Sequence, residues 1–332
     1  MEEDLAMLDA SLAGLDLQDW KERIIDIADD LGHYQSLGER HFSTFLEFGR
    51  TLLVTFETVD SIRAQGKSGH PLGFGLARKT GWSHLSFISI GDTWFREDKV
   101  YRYVDRLIDD GFFETFDRVI FYGAQSCGYA AAAFSVAAPG ATVIAVQPQA
   151  TLDPALTEWD TRFPQMRRTS FCDRYGYAPD MVEAADRAFV IYDPYVIHDA
   201  MHAALFRGSN VEKLRLRCLG DRIEHHLTNM GILSNTLYLA AEDTLTRENF
   251  FALYRIRRKY RGFLLNLLAR TNAKNRIQRS LILCEYVTAR FKSPAFRKRL
   301  EELRQQLADA RQSEILVKHP RAEAGAGADV GT

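Results

Sequence analysis

The chain has 332 residues, 46% of them hydrophobic and 26% charged, and sets 42 Lys and Arg against 44 Asp and Glu for a formal net charge of −2. That length suits one large domain or two modest ones, and the composition is that of a globular protein, which excludes a fibrous or wholly disordered chain. A near-neutral total also excludes nucleic-acid or membrane-surface binding driven by the charge of the whole molecule.

The start, Met1-Glu-Glu-Asp-Leu, lacks the basic and apolar regions of a signal peptide, so a cytoplasmic protein is expected, with residues 1–17 a flexible acidic lead. Trp20 to Leu31 carries apolar residues at helical spacing and ends at Gly32. His33 to Gly49 reads as extended chain, a hairpin turning at Gly38-Glu39, and Thr51 to Phe56 as a buried strand. Glu57 to Arg78 holds Gly66, Gly69, Pro71, Gly73 and Gly75 and is expected to be a loop. His84 to Ile90 is the next strand, and Asp98 to Asp110 an amphipathic helix.

Arg118 to Gly123 is a short apolar strand that runs through Ala124-Gln125-Ser126-Cys127-Gly128 into the helix-forming run from Tyr129 to Ala138, closed by Pro139-Gly140. Ala141 to Val146 follows as a strand. The aromatic-rich stretch 151–179 is irregular and fits an insertion over the sheet's carboxyl edge, as a lid would. Met181 to Arg187 reads as a short helix, Ala188 to Tyr192 as a strand ending at Asp193-Pro194, His198 to Phe206 as a helix, and Val211 to Leu219 as an edge strand. Alternating strands and helices predict an α/β fold with a doubly wound, mainly parallel sheet over residues 18–235, followed by a C-terminal α-helical region over 236–316 and a disordered tail over 317–332. Between Arg247 and Arg299 stand fifteen Lys and Arg against Glu248 and Glu285, a basic stretch that is either a solvated face or a dock for an acidic partner. Its aromatic interleaving is thin, so nucleic acid is not the expected partner.

The strand-turn-helix around Ser126, with small residues at Ala124 and Gly128, resembles the nucleophile elbow of the α/β-hydrolase superfamily. The resemblance covers roughly residues 48–233. It implies a serine esterase: Ser126 attacks an ester, thioester or amide carbonyl, His225 or His226 removes its proton, and Asp193 (or Asp199) orients that histidine. An oxyanion hole would use the backbone N–H of Cys127 and one donor near Glu57 or Thr58. The stretch YGAQSCGYAA…PGATVIAVQPQATLDP is similar to hydrolase-like proteins encoded among bacterial polysaccharide genes, which implies a small-molecule or glycan ester as substrate. The same triad would serve an acyltransferase, and a non-catalytic binding or assembly module of this fold is the rival from another class.

No phosphate loop or dinucleotide fingerprint is present, so no cofactor is expected. Cys127, Cys172, Cys218 and Cys284 lack ligand spacing and read as reduced thiols. His198 and His202 lie one helical turn apart with no carboxylate at metalloprotease spacing, so they are expected to pack rather than hold a metal.

Overall fold

Short apolar runs between turns form strands here because each can bury both faces between helices. The structure is a computed structural model that describes residues 7–65 and 68–318. It divides into two compact units, Met1–Tyr260 and Arg261–Thr332.

In the first unit, helix α1 (Leu17–Leu31) leads into β1 (Gly32–Ser36) and β2 (His41–Leu46). Then come β3 (Thr51–Thr58), α2 (Val59–Gln65), α3 (Leu72–Thr80), β4 (Ser83–Ser89) and α4 (Asp98–Asp109). Strand β5 (Arg118–Ala124) feeds α5 (Ser126–Phe134), followed by β6 (Thr142–Val146) and the single turns α6 (Pro154–Thr157) and α7 (Ala178–Met181). Strand β7 (Arg187–Tyr192), α8 (Ile197–Leu205), β8 (Val211–Arg215), α9 (Ile223–Asn229), α10 (Ile232–Ala241) and α11 (Arg247–Leu253) complete it.

The eight strands make one sheet in the order β1-β2-β4-β3-β5-β6-β7-β8. Strand β2 pairs antiparallel with β1 and β4, and every other pairing is parallel. Successive residues point to opposite faces. Thus Phe45 joins a core with Phe56, Phe87, Phe121 and Phe134, while Phe42 and Leu46 join a second core with Trp20, Ile24 and Phe74. The central strand β5 lies between β3 and β6, so the turn at its carboxyl end opens at the middle of the sheet.

Three expectations are corrected. Residues 59–65 and 72–80 are helices, not loop. Gly73 sits inside α3 because a Cβ there would run into the ring of His84 on β4, so the glycine allows close packing instead of breaking the helix. The lead is packed where it is described: Leu8 and Leu12 are buried in the core around Trp20, and the Leu12 N–H donates to Ser68 O at 2.6 Å. The basic helical region spans both units: α10 and α11 precede the boundary, and Trp82 meets Tyr238 of α10 edge to face.

The insertion 151–179 is held in place. Phe163 and Phe171 pack on Trp94, and Tyr175 packs on Phe134. The side chain of Arg96, 1% exposed, pairs with Asp173 and donates to the carbonyls of Ser170 and Arg174 and to the Tyr129 hydroxyl. Of the cysteines, Cys127 and Cys284 are buried, Cys218 is half-buried, and Cys172, in the insertion, is exposed.

The second unit holds α12 (Arg261–Ala273), α13 (Ile277–Thr288) and α14 (Pro294–Lys318) around Leu264, Leu268, Cys284, Val287, Phe296, Leu300 and Leu303. The expected disordered tail lies outside the described residues beyond position 318. No helix among the described residues is long and apolar enough to cross a membrane.

Candidate active site

Where β5 stops and α5 starts, the chain must reverse within one residue. That residue is Gln125, with φ 56° and ψ −123°, a conformation that side chains rarely adopt. Its N–H donates to Val146 O at 2.8 Å, which fixes the turn to β6. Two residues earlier, a Cβ on Gly123 would run into the carbonyl of Cys127, so only glycine fits there. At Gly128 a Cβ would stand 3.0 Å from Val146 O.

The apex of the elbow is therefore Gln125, one residue before the serine expected there. The small residues around it are Gly123 and Cys127, not Ala124 and Gly128. Gln125 is exposed, whereas Ser126 is the first residue of α5 and only 8% exposed. The N–H groups of a first helical turn have no intrahelical acceptor, and they carry the positive end of the helix dipole. Those of Ser126 and Cys127 are so placed.

Beside the apex lies a cavity of about 270 Å³. The elbow lines it through Gln125, Ser126 and Cys127, the end of β3 and start of α2 through Glu57, Thr58 and Asp60, and α9 through Glu224 and His225. Ser126, Cys127, Glu57, Thr58 and His225 are thus brought to one place. No residue of the 151–179 insertion lines this cavity, so the insertion is not its lid.

The remaining expected residues are engaged elsewhere. Asp193 is buried, and its carboxylate accepts from the N–H groups of Tyr195 at 2.9 Å and Gly220 at 2.8 Å, tying the end of β7 to the segment that leads into α9. Asn229 donates to His225 Nε2 at 2.9 Å. His226 Nδ1 meets the Tyr260 hydroxyl at 3.0 Å, and burial lowers its pKa. The Thr58 N–H donates to the Ser61 hydroxyl at 3.2 Å, which removes it as a ready oxyanion donor. Asp199 accepts from Gln147 and Arg162 at 2.7 Å each, and His202 Nε2 meets Asp160 at 2.9 Å. His198 stacks on Trp159.

Sequence reasoning looked to Glu57 for its backbone and missed its side chain. Its carboxylate accepts from the Leu72 N–H at 3.0 Å and from the Thr55 hydroxyl at 2.8 Å, and the Thr55 oxygen also meets His84 Nε2 at 2.9 Å. Burial outweighs these bonds and the carboxyl is pushed up to about 7, the nearby charge of Glu224 adding to the shift. Glu224 itself accepts from the buried Tyr122 hydroxyl at 2.6 Å. Burial, with Glu224 second, also pushes the Cys127 thiol well up, so it is no ready thiolate.

No protein-family model matches the chain, and no curated protein matches it. Among solved structures it is similar to Pyrococcus horikoshii acylaminoacyl peptidase, at 10% identity over 65% of this chain and 42% of that one, with a TM-score of 0.43. It is also similar to the glycosylation-associated Gap123 complex of Streptococcus agalactiae, at 14% identity over 60% and 44% of the two chains and a TM-score of 0.39. A Pyrobaculum calidifontis esterase gives 14% identity over 73% and 98%, with a TM-score of 0.41. The chain spans less than half the length of the first two. Its own strand order, with a strained strand-to-helix turn at the centre of a mainly parallel sheet, makes this the α/β-hydrolase fold.

Proposed function

We propose that the chain hydrolyses a small polar ester or thioester in the cavity beside the elbow, by direct attack of water with Glu57 as general base. The observation that carries this reading is the Glu57 carboxyl, anchored by Leu72 and Thr55, raised to about 7, and facing the same cavity as the amino end of α5. Glu57 takes a proton from water as the oxygen attacks the carbonyl carbon. The N–H groups at the start of α5 stabilise the developing oxyanion, and His225 delivers a proton to the departing alkoxide or thiolate. Asp193 keeps the connection into α9, and so His225, in register with the elbow.

The test is hydrolysis of p-nitrophenyl acetate and acyl-thioesters, together with fluorophosphonate labelling, in the wild-type chain, Glu57→Gln and Ser126→Ala. The expected result is turnover without labelling, lost by at least about 100-fold in Glu57→Gln and kept within a few-fold in Ser126→Ala. Labelling and turnover that both vanish in Ser126→Ala would establish the second reading instead. That reading is an acyl-enzyme on Ser126 with His225 or His226 as base and Asp193 as its partner; Ser126 and His225 lining one cavity favours it, and acyl transfer would use the same intermediate. Failure of every substrate in a folded protein would leave the binding-module reading. In either case the basic residues of 247–299 would serve to dock an acidic partner.

A further inference from the structure

An elbow has one position that points out over the sheet, and here that position carries an amide. The position is defined by three observations independent of residue chemistry. Gln125 alone in the turn has positive φ, with ψ at −123°. Gly123 passes so close to the Cys127 carbonyl that no side chain fits. Gln125 is exposed into the cavity while the next residue, Ser126, is almost buried. The turn is also tied down on both sides: the Gln125 N–H is bonded to β6, and its Nε2 donates to Asp221 O at 3.2 Å in the loop that leads to α9. A strained apex held this firmly presents whatever group sits there at a fixed point beside the N–H groups of α5 and within the cavity that His225 lines.

We propose that Gln125 determines the type of reaction at this site: its amide confines the cavity to attack by water, and the single replacement Gln125→Ser opens a covalent route. A side-chain amide cannot act as an acyl acceptor under these conditions, whereas a hydroxyl at the apex meets the requirements of an activated nucleophile. With a fluorophosphonate the step balances simply. The introduced hydroxyl oxygen forms a bond to phosphorus, the P–F bond breaks, fluoride leaves, and the hydroxyl proton passes to His225. The proposal rests on the reading of the cavity as a carbonyl site. Its test reads phosphonylation, which needs no turnover of any native ester, so failure here and absence of ester hydrolysis are separate results.

The experiment labels the full chain with a biotinylated fluorophosphonate and maps the modified peptide by mass spectrometry, each variant first shown to be folded by circular dichroism and thermal melting. The expected result is labelling of Gln125→Ser at position 125, at least tenfold above wild type, and its loss in Gln125→Ser combined with His225→Ala. A folded Gln125→Ser variant that labels no faster than wild type would overturn the proposal, as would wild-type labelling at Ser126 of equal strength. Labelling that persists without His225 would equally overturn the route drawn here. Should the serine variant not fold, Gln125→Cys carries the same test through its rate of alkylation by iodoacetamide. A rate at least tenfold above that of the exposed Cys172 supports the proposal, and an equal or slower rate refutes it.

Discussion

Glu57 shows how one side chain can set two pH dependences of opposite usefulness. Its carboxyl is raised to about 7 by burial, so the base form accumulates only as pH climbs through that value, and turnover should rise to a plateau above about 7. For stability the sign is reversed. A carboxyl whose folded pKa lies above its unfolded one contributes stability that is complete below the unfolded value and lost as pH rises through about 7. Thermal melts of wild type and Glu57→Gln at pH 5 and pH 8 should therefore diverge, the wild type losing on the order of 2 kcal/mol more between the two. Parallel melts would refute the assigned environment. At this scale the sequence was legible in residue type but not in register. Ala124-x-Ser126-x-Gly128 and Gly123-x-Gln125-x-Cys127 overlap by one position, and only the backbone dihedrals of Gln125 decide between them. The weight of the Glu57 side chain was hidden because its partners, Leu72 and Thr55, sit on other turns of the chain.

Among the elements, strands were read more securely than the connections between them. Short runs such as Arg118–Ala124 and Arg187–Tyr192 are apolar because both faces of a central strand are covered, and that pattern survives in one dimension. The helices at 59–65 and 72–80 were not legible, because Gly73 signals flexibility in sequence and close packing against His84 in space. The insertion 151–179 was read as a lid on its aromatic content, yet those aromatics face inward onto Trp94 and Phe134. The buried guanidinium of Arg96 is the pin. Replacing it by alanine removes its bonds to Asp173, Tyr129 and two carbonyls, and should cost about 2 kcal/mol. Trypsin should then cut at Arg162, Arg167, Arg168 or Arg174 at least tenfold faster than in wild type; unchanged cleavage would show that the aromatics alone hold the segment.

Across the whole molecule the change to helical sequence near residue 236 does not mark the edge of the folded unit, since α10 and α11 belong with the sheet and the boundary follows Tyr260. Composition alone could not place that edge, because the basic helices run through it unchanged. The cores around Phe56 and Trp20 draw no residue from beyond the boundary, and the core around Leu264 draws none from before it. A fragment ending at Tyr260 should accordingly melt cooperatively and keep the ester chemistry, with a loss of cooperativity as the result that refutes independence. The docking role assigned to the basic stretch predicts retention on heparin that weakens between 50 and 200 mM salt, and that Lys274→Glu with Arg276→Glu and Arg279→Glu should abolish.

The distribution of thiols gives the experimenter something further. With Cys127 and Cys284 sealed in cores and Cys218 half-covered, the thiol at Cys172 is the one open to a maleimide dye under native conditions. It stands one residue from Asp173, the partner of Arg96, so a fluorophore there would sit on the fastening itself. The unaltered chain thus carries its own reporter, whose polarisation should stay high while the insertion is pinned and fall as soon as it lets go.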